Sequence, residues 1–127
     1  MKEKANILIV DDDISLCKIV SLILEHNGYA VTTAMDGPEA IEKVREKPFD
    51  MIFMDVKMPG MNGTETFREV NKIRPETLVM MMTAYAVEDL VQEALDEGAY
   101  GILYKPLDME DVLRLLDEVL KKKENKG

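Results

Sequence analysis

Met51-Ile52-Phe53-Met54-Asp55-Val56-Lys57-Met58-Pro59-Gly60 runs from four apolar residues into an acid and then into a Pro-Gly turn. A short continuous apolar run bounded by turn signals reads as a strand buried on both faces, the kind found inside a parallel sheet. A second run, Ile7-Leu8-Ile9-Val10, stops in the same manner at Asp11-Asp12-Asp13. Carboxylates placed where such strands stop share one rim of the sheet, and acids gathered there ask for a cation.

Outward from these two runs, apolar segments rich in branched residues alternate with helical patterns along the whole chain, which is the signature of an α/β domain. Strands are expected near 6–10, 30–35, 50–55, 78–83 and 100–104. The first, third and fourth are continuously apolar and suit the interior of a sheet; the second and fifth are mixed and suit its edges. Right-handed crossovers with helices on both faces give a doubly wound sheet, whose ligand site lies beyond the carboxyl ends of the strands.

Five helices fill the gaps. Helix four shows its period in Val87, Leu90, Val91, Ala94 and Leu95, and Gly98 ends it; helix five repeats it in Val112, Leu115, Leu116, Val119 and Leu120. Helix one, about 14–26, is apolar on more than one side (Leu16, Ile19, Val20, Leu22, Ile23, Leu24), so it is either deeply packed or shows an apolar flank to a partner. Asp36-Gly37-Pro38-Glu39 starts helix two with a cap and an early proline, Asn62-Gly63-Thr64-Glu65 opens helix three as a capping box, and Asp108 caps helix five.

At 127 residues the chain makes one domain with a core of its own. A net charge of -9 argues against nucleic acid as a direct ligand. Lys121-Lys122-Lys123 falls at a helix end, where cations favour the dipole. Cys17 is the only cysteine, so neither a disulfide nor a thiolate metal site can form within the chain; it reads as a small packed residue. The first apolar stretch is four residues long, too short for a signal peptide or a membrane span, and the chain reads as cytoplasmic with no membrane partner. Asn62-Gly63-Thr64 matches a glycosylation acceptor by accident in such a chain.

The strand ends supply Asp11 and Asp12, then Asp55, then Thr83, then Lys105 before Pro106. Close carboxylates repel, so either one holds a proton or a divalent cation neutralises them; the second suits a water-accessible rim. All-oxygen ligation points to a hard ion, and Mg²⁺ takes one or two carboxylates together with a phosphoryl oxygen. His26, the only histidine, lies towards the end of helix one and reads as solvent-facing. Asp13 reads as a helix cap and Met80-Met81-Met82 as core.

The runs Ile7-Leu8-Ile9-Val10-Asp11-Asp12, Met54-Asp55-Val56-Lys57-Met58-Pro59-Gly60-Met61-Asn62-Gly63, Met82-Thr83-Ala84-Tyr85 and Gly98-Ala99-Tyr100-Gly101-Ile102-Leu103-Tyr104-Lys105-Pro106 resemble the response-regulator receiver domain of two-component signalling, over residues 5 to about 122. Residues 123–127 read as a polar C-terminal tail, with Glu124-Asn125-Lys126-Gly127 frayed. The resemblance implies a flavodoxin-like strand order 2-1-3-4-5 and a receiver domain over 1–122. It implies that Asp55 is the phosphoacceptor, that Asp11, Asp12, Asp55 and the backbone carbonyl of Lys57 hold Mg²⁺ (or Mn²⁺), and that Thr83, Ala84 and Lys105 bind the phosphoryl group and switch. Lys57 and Tyr85 would flank that group, and Pro106 permits a cis Lys-Pro bond. The implied partner is a histidine kinase or histidine phosphotransfer protein, met through helix one. Output or self-association would run through helix four, strand five and helix five. Such a chain is not an enzyme beyond its own phosphorylation and dephosphorylation.

One position departs from the pattern. Many receivers carry an aromatic residue three positions before the lysine, turning inward as the threonine is drawn to the phosphoryl group; here Ile102 stands there, with Tyr104 two residues on. Two alternatives stay open. Asp11-Asp12-Asp13-Ile14-Ser15 resembles the D-x-D-x-[TS] pattern of haloacid-dehalogenase-like hydrolases, which would make Asp11 the nucleophile of a small magnesium phosphohydrolase. A degenerate receiver acting without phosphate is the other.

Overall fold

In the computed structural model, which describes residues 4–84 and 88–126, strands and helices alternate strictly. The order is β1 (Asn6–Val10), α1 (Ile14–His26), β2 (Ala30–Ala34), α2 (Gly37–Glu46), β3 (Met51–Asp55), α3 (Gly63–Ile73), β4 (Leu78–Thr83), α4 (Glu88–Asp96), β5 (Gly101–Tyr104) and α5 (Met109–Lys126). The five strands form one parallel sheet in the order β2-β1-β3-β4-β5, as the resemblance implies. Strands two, three and five are each a residue shorter than the sequence suggests, and α5 continues to Lys126, so the polar segment after residue 122 extends the helix instead of leaving it.

Burial follows the hydrophobic runs. Every residue of β3 is buried, as are all but the first of β1 and of β4, whereas β2 and β5 at the edges are mostly half-exposed. Alternation along the strands sends two sets of side chains to opposite faces. Ile7, Ile9, Met51, Phe53, Met80 and Met82 pack with Cys17, Val20 and Leu24 of α1 and with Val112, Leu116 and Val119 of α5. Leu8, Val10, Ile52, Met54, Val79 and Met81 pack with Ala40 and Val44 of α2, Phe67 and Val70 of α3, and Ala94 of α4. Met80-Met81-Met82 is therefore core on both faces.

The caps form where the sequence places them. Asp13 accepts from Leu16 N, Asp36 from Glu39 N, and Asn62 and Glu65 make the reciprocal capping box; Asp108 accepts from Glu110 N and Asp111 N at the start of α5. Gly98, at φ 111°, ends α4 in a backbone region that other residues avoid. Val87, read as part of helix four's apolar period, lies outside the described residues.

Helix one resolves its two readings: Cys17, Val20 and Leu24 are buried, while Ile14, Ile19 and Leu22 remain 58%, 58% and 68% exposed. An apolar flank faces solvent. His26 is exposed at the helix end. Among the described residues no helix is long and apolar enough to cross a membrane.

Candidate functional site

Because every strand runs in the same direction, the carboxyl ends of β1, β3, β4 and β5 open on one rim, and the side chains there come together. Asp11, directly after β1, is fully buried, and its backbone N–H donates to Ala34 O at 3.1 Å. Its carboxylate is shared: Oδ1 accepts from Asp13 N at 2.9 Å and Oδ2 from Lys105 Nζ at 2.6 Å. Asp55, the last residue of β3, is 5% exposed, and its Oδ2 lies 3.5 Å from the same ammonium. The Lys57 backbone N–H also donates to the Asp55 carboxylate. Asp12 is exposed beside them. One oxygen from each of Asp11, Asp12 and Asp55 falls within 4.8 Å of the others.

The electrostatics of this cluster are unbalanced. Burial and the Asp11 charge push the Asp55 carboxyl up to about 6, and the Lys105 charge and hydrogen bond and the Lys57 N–H only partly offset them. Burial works against the Lys105 ammonium, but its hydrogen bond to Asp11 and the charges of Asp55 and Asp11 outweigh it and hold its pKa above the usual value. Three carboxylates thus cluster together, and one ammonium pairs with two of them, Asp11 and Asp55. The donor set is all oxygen, two of the three acids are buried and the third opens to water, which fits a hard divalent ion better than a softer metal.

Thr83 ends β4 with 1% exposure, and its carbonyl accepts from Lys105 N at 2.8 Å, so the phosphoryl-binding candidates of two strands are tied through their backbones. The Lys105-Pro106 bond is cis. Ala84 is exposed next to Thr83; Tyr85 lies outside the described residues. Lys57 is exposed on the loop after β3.

Thr83 is paired with Tyr104, and Met81 with Ile102, so all four point to the face covered by α2, α3 and α4. Ile102 is partly buried against that core together with Leu90, Val91 and Leu95 of α4, while Tyr104 is 67% exposed. The ring of Tyr104 therefore does not stand in for an aromatic residue at position 102.

Two residues carry more at this site than their sequence context shows. The Cys17 thiol donates to Asp11 O at 3.4 Å; burial and then the Asp11 and Asp13 charges push it up to about 11, so it stays a thiol at neutral pH. Gly63, at the start of α3, lies against the backbone of Asp55 and Val56, and its N–H donates to Val56 O at 2.8 Å. The one hint in the sequence is a glycine at a first helical position where nearly any better helix former would serve.

The family model described as the response regulator receiver domain matches residues 7–117. A transcriptional regulatory protein, ZraR, of Klebsiella oxytoca is 45% identical over 118 residues, covering 93% of this chain and 27% of that protein. The transcriptional regulatory protein GlrR of Escherichia coli K12 is 33% identical over 117 residues, covering 91% of this chain and 26% of that protein. The chain thus spans about a quarter of the length of these relatives. Among solved structures, a CheY-like response regulator receiver domain protein from Methanospirillum hungatei JF-1 superposes with a TM-score of 0.92 at 33% identity, covering 100% of both chains. The chemotaxis protein CheY4 of Vibrio cholerae superposes at 0.83 with 39% identity, covering 91% of this chain and 98% of that one.

Proposed function

This chain belongs to the response regulator receiver domain family, and from that footing we propose that Asp55 accepts a phosphoryl group from a phosphohistidine on a histidine kinase or histidine phosphotransfer protein. The observation that carries the proposal is the cluster of Asp11, Asp12 and Asp55 at the mouth of the sheet, with the Lys105 ammonium against Asp11 and Asp55.

With its pKa raised to about 6, Asp55 is still ionised at neutral pH and is the more basic nucleophile for the shift. One carboxylate oxygen attacks phosphorus as the bond from phosphorus to the imidazole nitrogen breaks. The imidazole leaves with the electron pair and takes a proton from water. Asp11, Asp12 and the Lys57 carbonyl are the groups that would hold Mg²⁺, or Mn²⁺ in its place, with Asp55. When bound, the ion supplies positive charge between two anions that otherwise repel. Lys105 and the Thr83 hydroxyl donate to phosphoryl oxygens, and exposed Ala84 leaves the approach beside Thr83 open. Hydrolysis of the acyl phosphate resets the site, so the chain turns over only its own phosphoryl group and is not an enzyme acting on other substrates.

Drawing Thr83 towards the phosphoryl group would be felt at β5 and α4, and the output surface is then α4, β5 and α5, facing a partner protein or a second copy. The exposed flank of α1 is the surface for the kinase. Direct contact with nucleic acid and with membrane is not part of this reading, and the setting is the cytoplasm.

Treating the protein with a phosphodonor, trapping acyl phosphate by borohydride reduction and locating the modified residue by mass spectrometry tests the reading. Modification at Asp55, lost in Asp55→Asn, supports it; modification at Asp11 would move the chain to the hydrolase class. Asp11 is disfavoured as a nucleophile because it is fully buried with both carboxylate oxygens engaged. An output response to phosphodonor and Mg²⁺ that survives Asp55→Asn would point to a phosphate-independent module.

A further inference from the structure

We infer that Gly63 is a positioning residue for the phosphoacceptor, holding the Asp55-Val56-Lys57 backbone in register by letting the first turn of α3 lie directly on it. The inference rests on the phosphoacceptor reading of Asp55.

The capping box that opens α3 uses the side chains of Asn62 and Glu65 and asks nothing of residue 63. Nor does backbone conformation demand glycine there, since the glycines with positive φ are Gly28, Gly60 and Gly98. Space does. A Cβ on Gly63 would collide with Asp55 O and come within 2.8 Å of Val56 Cα and 2.9 Å of the Asp55 carbonyl carbon. These are main-chain atoms of a central strand and its exit, and they cannot swing aside as a side chain can. Gly37, at the start of α2, offers the contrast: the nearest atoms its Cβ would meet belong to the side chains of Thr66 and Met61.

The backbone beneath Gly63 is the part of the site that must be placed well. Val56 is held from both sides, its N–H donating to Met82 O at 2.9 Å and its carbonyl accepting from Gly63 N at 2.8 Å. On one side of it stands Asp55; on the other stands Lys57, whose N–H donates to the Asp55 carboxylate and whose carbonyl is a proposed ligand of the cation. The loop from Lys57 to Asn62 is closed by the Gly63–Val56 hydrogen bond. A methyl group at 63 moves α3 outward, lengthens that bond and shifts the Lys57 backbone, whose carbonyl is the proposed cation ligand. Displacements of about 1 Å at reacting groups are costly in rate, and groups that orient metal ligands typically carry about tenfold or more in affinity.

The experiment compares the full chain with Gly63→Ala and Thr64→Val, since Thr64 sits in the same turn but directs its hydroxyl to Leu90 O in α4, away from the acids. Mg²⁺ alone is titrated and followed by amide chemical shifts, and the rate of Asp55 modification by a small acyl phosphate is measured at saturating Mg²⁺. Gly63→Ala is expected to weaken Mg²⁺ binding roughly tenfold or more and to slow modification, whereas Thr64→Val loses thermal stability but keeps both values. Binding and rate equal to wild type in Gly63→Ala overturn the inference. A second measurement needs no variant: because coupling between closure and metal is reciprocal, Mg²⁺ must slow hydrogen exchange at the Gly63 amide of the wild-type chain more than at Leu116 in α5. Equal slowing at both sites overturns the inference even if Gly63→Ala does not fold. A wild-type chain that neither binds Mg²⁺ nor is modified at Asp55 overturns the phosphoacceptor reading itself.

Discussion

Lys105 Nζ lies 2.6 Å from Asp11 Oδ2, nearer than its 3.5 Å to Asp55 Oδ2. In the resting site the lysine is thus chiefly the counter-ion of a fully buried acid and only secondarily a neighbour of the proposed nucleophile. In the proposed function, delivering its ammonium to a phosphoryl group requires that something else take over Asp11, and a divalent cation would do this.

Replacing Lys105 by Met leaves the Asp11 carboxylate buried without its cation. Urea unfolding in chelator is expected to show a loss on the order of 3–5 kcal/mol, the usual scale for breaking a buried pair from one side. Millimolar Mg²⁺ should restore more of that stability in Lys105→Met than it adds to wild type. Equal unfolding midpoints in chelator would mean that the pair contributes nothing.

Asp55 sets a pH dependence of opposite sign to an ordinary salt-bridged acid. Its folded pKa of about 6 exceeds the unfolded value of 3.8, so the folded chain binds the proton more tightly in that window and stability falls as pH rises through it. The penalty is fully present above pH 6, at roughly 2–3 kcal/mol. Asp55→Asn should therefore raise the melting temperature at pH 7.5 in chelator, with the gain shrinking as the pH is lowered from 6 to 4. Adding Mg²⁺ at pH 7.5 should narrow the gap by stabilising wild type alone.

Ile102 is partly buried against the same core as Leu90, Val91 and Leu95 of α4, at a position where many receivers carry a ring. In Ile102→Tyr the phosphorylation rate should stay near that of wild type, because Ile102 is partly buried against the core beneath α2, α3 and α4 and is not among the clustered acids and their lysine. Partner binding or dimerisation on phosphorylation should change. A large change in rate with an unaltered output surface would remove residue 102 from the switch.

Helices α3 and α4 are joined by the buried Thr64 hydroxyl on Leu90 O at 2.8 Å and by Arg68, whose guanidinium forks onto Glu97 and reaches Glu93. Thr64→Val should cost about 1 kcal/mol and speed amide exchange in α4 relative to α5. Uniform acceleration of both helices would show that the tie is not specific to α4.

The buried Cys17 thiol, pushed up to about 11, is expected to resist iodoacetamide in the native chain at pH 7.5 and to react once the chain is unfolded in urea. Rapid native alkylation would contradict the packed arrangement against Asp11.

Much of the fold was legible because its signals are local. Continuous apolar runs mark β1, β3 and β4, the steps of three and four mark α5, and Asp13, Asp36, Asn62 and Asp108 cap the helices at the expected residues. The rim was legible for the same reason, since parallel strands must end together. Helix one was not settled by its pattern: which of two apolar sides is covered depends on where α5 and the sheet lie, and Ile14, Ile19 and Leu22 proved to be the uncovered side. Pairing of Lys105 with Asp11, across 94 positions of sequence, left no local mark at all.

By itself, then, the sequence determined which groups reach the mouth of the sheet: Asp11, Asp12, Asp55, Thr83 and Lys105 each follow a strand whose direction and burial are written in its hydrophobic run. Tertiary structure alone decided how these groups divide their partners. The ammonium went to the more deeply buried acid, Asp55 was left with a raised pKa, and Gly63 admitted a helix to within contact of the backbone that carries Asp55. The physical reason is range: periodicity and caps act over a few residues, whereas Coulomb energies and close packing depend on ångström distances between segments far apart in the chain.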